Sequence, residues 1–184
     1  MASSTKSDLL KAFLELLNER PFDKISVTDV ASRCGVSRNT FYYHFQDIFD
    51  LVDELFMAET KRAASAVTPS TSVADRVKNA MNFARSNRRA VMHLYNSASR
   101  PRLERYLYDI YRGIMLEYVK GQAAGLAVTQ RDIEDLSIFY ASAFEGVVVQ
   151  WIRDGMQDES DRIVNILRLI DGNVRASLER ASRL

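Results

Sequence analysis

Arg38, Asn39, Thr40, Tyr42, Tyr43 and His44 lie within one run, VSRNTFYYHF, at residues 36–45. A guanidinium, a carboxamide, hydroxyls, phenols and an imidazole can bond base edges and phosphate oxygens, so the run suits nucleic-acid recognition better than covalent chemistry. At about 100° per residue Phe41 and Phe45 fall on one stripe of a helix, while Asn39, Thr40 and Tyr43 lie away from it. The phenylalanines suit a core. The polar tips, with Arg38 at the helix start, suit an outward reading surface. Periodicity alone leaves other roles open: Tyr42 and Tyr43 as half-buried core tyrosines, and His44 as a hydrogen-bonded structural histidine.

Local signals predict the elements that would position this run. Ser26 and Asp29 have capping-box spacing, which starts a short helix at Val27. Gly35 stops that helix in a left-handed cap, and Ser37 caps a second from Arg38 to His44. Two short helices joined by a glycine-containing turn form a helix-turn-helix pattern, whose second helix can lie in a major groove. Before it, a leucine-rich helix is expected over residues 6–19, ended by Pro21. After it, Asp47 caps a longer helix to about Ala66.

The rest of the chain reads the same way. Only seven glycines and three prolines occur in 184 residues, and apolar positions recur at three and four, which predicts an all-α protein of about nine helices. The later ones are expected at 73–86, 88–97, 102–121, 130–153 and 159–181. The small, polar segment AASAVTPSTSVADR at 63–76 suggests a boundary. The chain is therefore divided into a helix-turn-helix domain at 1–50, a connecting helix and linker at 51–71, and a helical domain at 72–184.

Composition narrows the function. One cysteine, Cys34, and two histidines, His44 and His93, give no disulfide within the chain and no metal-ligand set. No nucleophile stands at motif spacing from a base, and no glycine-rich phosphate loop is present. Neither an enzyme nor a cofactor is expected. The amino-terminal stretch lacks signal-peptide order, and the apolar run at 138–152 is short and carries Glu145 and Gln150. A reduced, cytoplasmic protein away from membranes is the expectation. The net charge of +1 decides nothing about nucleic acid, because a basic footprint can be local.

The order I25-S-V-T-D-V-A followed by G35-V-S-R-N-T-F-Y-Y-H-F resembles the DNA-binding domain of TetR-type (tetracycline-repressor-like) bacterial transcriptional regulators. The resemblance covers residues 9–56. It implies that Arg38, Asn39 and Thr40 meet bases, that Thr28, Tyr42, Tyr43 and His44 lie near phosphates, that Ser37 belongs to the same DNA-binding surface, and that Lys6 reaches a neighbouring phosphate. One position departs from the family. Where its fourth helix usually brings a lysine to a phosphate, Q46-D47-I48 supplies Ile48. Residues 46–60 also hold five acids and no base, which predicts weak non-specific binding and a shallow salt dependence.

By the same resemblance, residues 72–184 bind an effector and dimerise, as a regulator of a pseudo-palindromic operator requires. The helix at 130–153 is apolar on more than one side, and a helix greasy on two faces must bury both. Phe139, Ala143 and Val149, with Ile163, Ile166 and Ile170 of the last helix, are the candidate dimer residues. Met92, His93, Tyr95, Tyr108, Tyr111, Met115, Tyr140 and Trp151 are candidate pocket residues, with plain core as the alternative for each. Glu145 faces a pocket, a partner or solvent. FEGVVVQWIRDGM at 144–156 is similar to a pattern in one branch of these regulators. The functional expectation is a dimeric, ligand-responsive repressor that binds double-stranded DNA. The alternative is a regulator acting mainly through a protein partner.

Overall fold

The computed structural model describes residues 2–65, 72–157, 165–166, 168–170 and 172–183. Among them are nine α-helices: α1 Ala2–Glu19, α2 Val27–Cys34, α3 Arg38–His44, α4 Ile48–Ser65, α5 Val73–Ser86, α6 Arg88–Tyr95, α7 Arg100–Gln122, α8 Gln130–Arg153 and α9 Asn173–Ala181. A 3-10 turn at Phe22–Lys24 joins α1 to α2. No strand occurs among the described residues, and the fold is all-α.

Several boundaries differ from those read off the sequence, α6 for one ending at Tyr95 and not at residue 97. Helix α1 begins earlier, because no glycine or proline interrupts residues 2–5. Helix α7 begins at Arg100, and Pro101 sits in its first turn, where a missing backbone donor costs nothing. The helix expected to run unbroken to residue 181 is interrupted at Gly172, whose φ of 80° is left-handed and cannot continue an α-helix.

By spatial contacts the chain forms two units, Met1–Val67 with Phe83–Leu103, and Thr68–Asn82 with Glu104–Leu184. The first unit therefore takes in α6 as well as the helix-turn-helix. Its core is built from Leu9, Phe13, Leu16 and Leu17 of α1, Phe22, Val30, Phe41, Phe45, and Leu51 and Val52 of α4, all nearly or fully buried. Phe22 links two of these layers, edge-on to Phe13 at 6.3 Å and tilted on Phe49 at 5.4 Å. Helix α6 is tied to α1 by polar bonds: the His93 ring faces the Leu17 carbonyl oxygen through Nδ1 at 2.7 Å, and the Ala90 amide donates to the Asn18 side chain at 3.4 Å.

In the second unit, Tyr111, Met115, Phe144, Val148, Trp151 and Ile152 are buried. Val119, Ala123, Val174 and Leu178 form a cluster where α7, α8 and α9 meet, flanked by Leu136 and Tyr140. Helix α8 starts at a complete capping box, Thr129 with Asp132. At its other end Gly155 and Met156 are both left-handed, and the Trp151 indole donates to the Gln157 carbonyl at 2.9 Å, folding the turn back on the helix. No helix among the described residues is long and apolar enough to cross a membrane.

Candidate nucleic-acid interface

The helix-turn-helix is assembled by the short-range bonds its sequence calls for. Ser26 Oγ accepts from the Asp29 amide at 3.2 Å, and the Asp29 carboxylate accepts from the Ser26 amide at 2.8 Å. The Ser26 hydroxyl and amide hold the Asp29 carboxyl below its ordinary range. Gly35, at φ 71°, ends α2, and the Val36 amide closes the turn on the Ala31 carbonyl at 2.9 Å. A side chain at that φ would be strained, which is why glycine stands there. Ser37 then caps α3, accepting from the Thr40 amide at 3.1 Å, and the two hydroxyls lie 2.9 Å apart.

Helix α3 divides by face. Phe41 is fully buried and Phe45 nearly so, whereas Tyr42 is 49 % and Tyr43 79 % exposed. Arg38 and Asn39 are exposed as well. Arg38 donates to the Tyr42 hydroxyl at 3.4 Å and lies over the Tyr42 ring at 5.9 Å. His44, half-buried at the end of the helix, stands edge-on to Tyr43 at 5.0 Å. Thr28 is exposed in the first turn of α2. Ser37, Arg38, Asn39, Thr40, Tyr42, Tyr43 and His44 thus gather on one short helix and its cap, with Ser37 and Thr40 already engaged in that cap.

Several other cations of this unit are held by its own acids. Arg33 forms a two-pronged bond with Glu19 at 2.7 and 2.8 Å, and this holds the Glu19 carboxyl below its usual range. Arg20 pairs with Asp29 at 3.0 Å, and Arg102 with Asp53 at 3.3 Å. Lys6 lies in α1, with Nζ 2.7 Å from the Glu54 carboxylate and 5.6 Å from the centre of the Phe45 ring. Nothing local marks that pair, since neither residue stands in a spacing pattern with the other. At the start of α4, Asp47 accepts from the Phe49 and Asp50 amides at 2.7 and 2.8 Å. A carboxylate therefore fills the positive helix end beside Ile48, where an anion would otherwise be drawn.

The Cys34 thiol, half-buried at the end of α2, is pushed up by burial and then by the Asp8 charge, which favours the thiol over the nucleophilic thiolate. Among the described residues no group of three or more His, Cys, Asp or Glu could hold a metal ion.

Sequence comparison adds to this geometry. Residues 9–55 match the family model described as "Bacterial regulatory proteins, tetR family", and residues 72–171, more than half the chain, match "Transcriptional regulator C-terminal region" of the same regulators. The chain belongs to the TetR family. Comparison with curated proteins finds no match. Solved TetR-like structures share the fold at low identity. The dihydroxyacetone kinase operon activator DhaS is 16% identical over 90% of this chain and 94% of that one, with a TM-score of 0.72. The fatty acid degradation regulator FadR from Bacillus halodurans is 17% identical over 90% and 93%, at 0.60. NalD from Pseudomonas aeruginosa, the secondary repressor of the MexAB-OprM multidrug efflux pump, is 19% identical over 96% of each chain, at 0.55.

In this TetR-family chain the candidate pocket residues fall into separate groups. Met92, His93 and Tyr95 belong to the first unit, with Arg100 lying 4.4 Å over the Tyr95 ring. In the second, Tyr111 stacks on Phe144 at 6.3 Å, Met115 is buried, and Tyr108 is half-buried. Tyr140 borders the Val119 cluster, and Trp151 closes the end of α8. Glu145 is half-buried, and burial, then the charge of Glu104, raises its carboxyl above the ordinary value. Of the candidate dimer residues, Phe139 is 66 % exposed beside Ile138 at 41 %. Ala143 is exposed, and Val149, Ile166 and Ile170 are half-buried. Ile163 lies outside the described residues.

Proposed function

We propose that the chain is a dimeric, sequence-specific DNA-binding repressor of the cytoplasm, released from a pseudo-palindromic operator by a small-molecule effector. The observation that carries the reading is the division of α3, with Phe41 and Phe45 buried and Arg38, Asn39, Tyr42 and Tyr43 turned outward. Arg38, Asn39 and Thr40 meet base edges in the major groove, while Thr28, Ser37, Tyr42, Tyr43 and His44 contact the phosphate backbone and set register, and Lys6 reaches a phosphate only when it is released from Glu54. Two such heads demand a twofold partner. The exposed Phe139, Ile138 and Ala143 of α8 supply an apolar surface for it, in a bundle with the last helix. The effector occupies the aromatic interior around Tyr108, Tyr111, Met115 and Tyr140, and shifts the dimer between DNA-competent and incompetent states.

A second reading keeps the DNA-binding head and gives the exposed α8 face to a different protein. The large exposed Phe139 favours it as much as it favours a second copy. DhaS is described as an operon activator and NalD as a repressor, so the fold serves both signs of regulation.

The test pairs DNA retention with mass in solution. Replacing both Tyr42 and Tyr43 with alanine is expected to abolish retention of DNA selected from a random pool and to leave a dimer intact by sedimentation. Unchanged retention overturns the DNA-binding assignment. A monomeric wild type at micromolar concentration overturns the dimer and favours the partner-dependent reading.

A further inference from the structure

We propose that Tyr42 is a positioning residue for base readout: its ring and hydroxyl hold the Arg38 guanidinium in the orientation that reads a base pair. The inference rests on the DNA-binding reading and goes beyond it, because that reading gives Tyr42 a phosphate and no part in specificity.

Arg38 opens α3 and Tyr42 stands one turn later, the spacing at which helical side chains are neighbours. An exposed arginine samples many rotamers, and freezing them on a base edge costs affinity and blurs discrimination. Tyr42 limits that freedom in two ways. Its phenolic oxygen accepts from one terminal nitrogen of Arg38 at 3.4 Å, and its ring lies under the guanidinium carbon at 5.9 Å. Tyr42 is in turn fixed, its ring edge-on to Phe41 at 5.6 Å and 87°, and Phe41 is fully buried. A line of contacts runs from the core, through two rings, to the tip of the arginine. A guanidinium has five N–H donors, so a bond to the phenol leaves enough for a two-pronged bond to a base. No ion pair competes for Arg38 among the described residues, in contrast to Arg20, Arg33 and Arg102. Tyr42 is the neighbour that orients it.

The experiment compares wild type, Arg38→Ala, Tyr42→Phe and the double variant, by selection from a random DNA pool followed by competition binding at several salt concentrations. Arg38→Ala identifies the base pair it reads, with discrimination there reduced roughly 5- to 150-fold. Tyr42→Phe keeps the ring and removes the hydroxyl. It is expected to reduce discrimination at that same base pair by about 2- to 10-fold, to leave other positions and the salt slope unchanged, and to add nothing in the Arg38→Ala background. Even weakening of all sequences, with no selective loss at that base pair, makes Tyr42 a phosphate contact only and overturns the inference. Unchanged discrimination in Tyr42→Phe overturns it too, with DNA binding intact. A wild type without any sequence preference overturns the DNA-binding reading itself, and this inference with it.

Discussion

Lys6 Nζ stands 2.7 Å from the Glu54 carboxylate, so the one cation that α1 brings beside the Phe45 ring is already neutralised inside the protein. For Lys6 to hold a DNA phosphate, that phosphate must displace Glu54. Glu54→Gln is therefore expected to raise DNA affinity at low salt and to steepen the slope of log affinity against log salt by about 0.9, one phosphate's worth. Adding Lys6→Gln should cancel the gain, which separates release of Lys6 from a general loss of negative charge. Weaker binding by Glu54→Gln would mean that the carboxylate aims Lys6 instead of withholding it.

The opening of α4 invites a complementary change. Asp47 caps the helix with a carboxylate, and Ile48 beside it carries no charge. The wild-type salt slope is expected to stay shallower than about −8, at ~0.9 per neutralised phosphate. Ile48→Lys should add roughly 0.9 to it, and tighten selected and unselected DNA alike, because a phosphate contact carries no base information. Fluorescence anisotropy across a salt series measures both, and a steep wild-type slope would contradict the expectation.

Glu145 gives a dependence on pH. Burial and the Glu104 charge raise its carboxyl in the folded chain. The folded state then binds more protons than the unfolded one, so the stability this group contributes is whole below the ordinary carboxylate value and is lost as pH climbs through the raised one. The thermal midpoint of wild type relative to Glu145→Gln should fall across that window and level off above it. A difference that is flat, or that rises with pH, would remove the effect of burial from the account.

What the sequence conveyed well was what neighbouring residues decide among themselves. Ser26 with Asp29, the left-handed Gly35, Ser37 with Thr40, and the burial of Phe41 and Phe45 are all short-range, and spacing announces them. Pro101 and Gly172 were harder. A proline is harmless in a first turn and damaging later, so its meaning depends on where α7 begins. A glycine can sit inside a helix or end one, and only its φ of 80° shows that Gly172 ends one. Long-range pairs were illegible. Nothing local marks Glu54 as the partner of Lys6, or the Leu17 carbonyl as the partner of His93, because those meetings follow from tertiary packing.

The bond between His93 and the Leu17 carbonyl bears on how such proteins can be recombined. A reading head that includes α6 is discontinuous along the chain, since residues 68–82 leave it and the chain returns at Phe83. A graft that transplants only the amino-terminal helices onto another regulator would strip α1 of the helix that covers Leu17 and Asn18. The transferable piece is a set of two segments, and a chimera that carries both is the one that keeps its head intact.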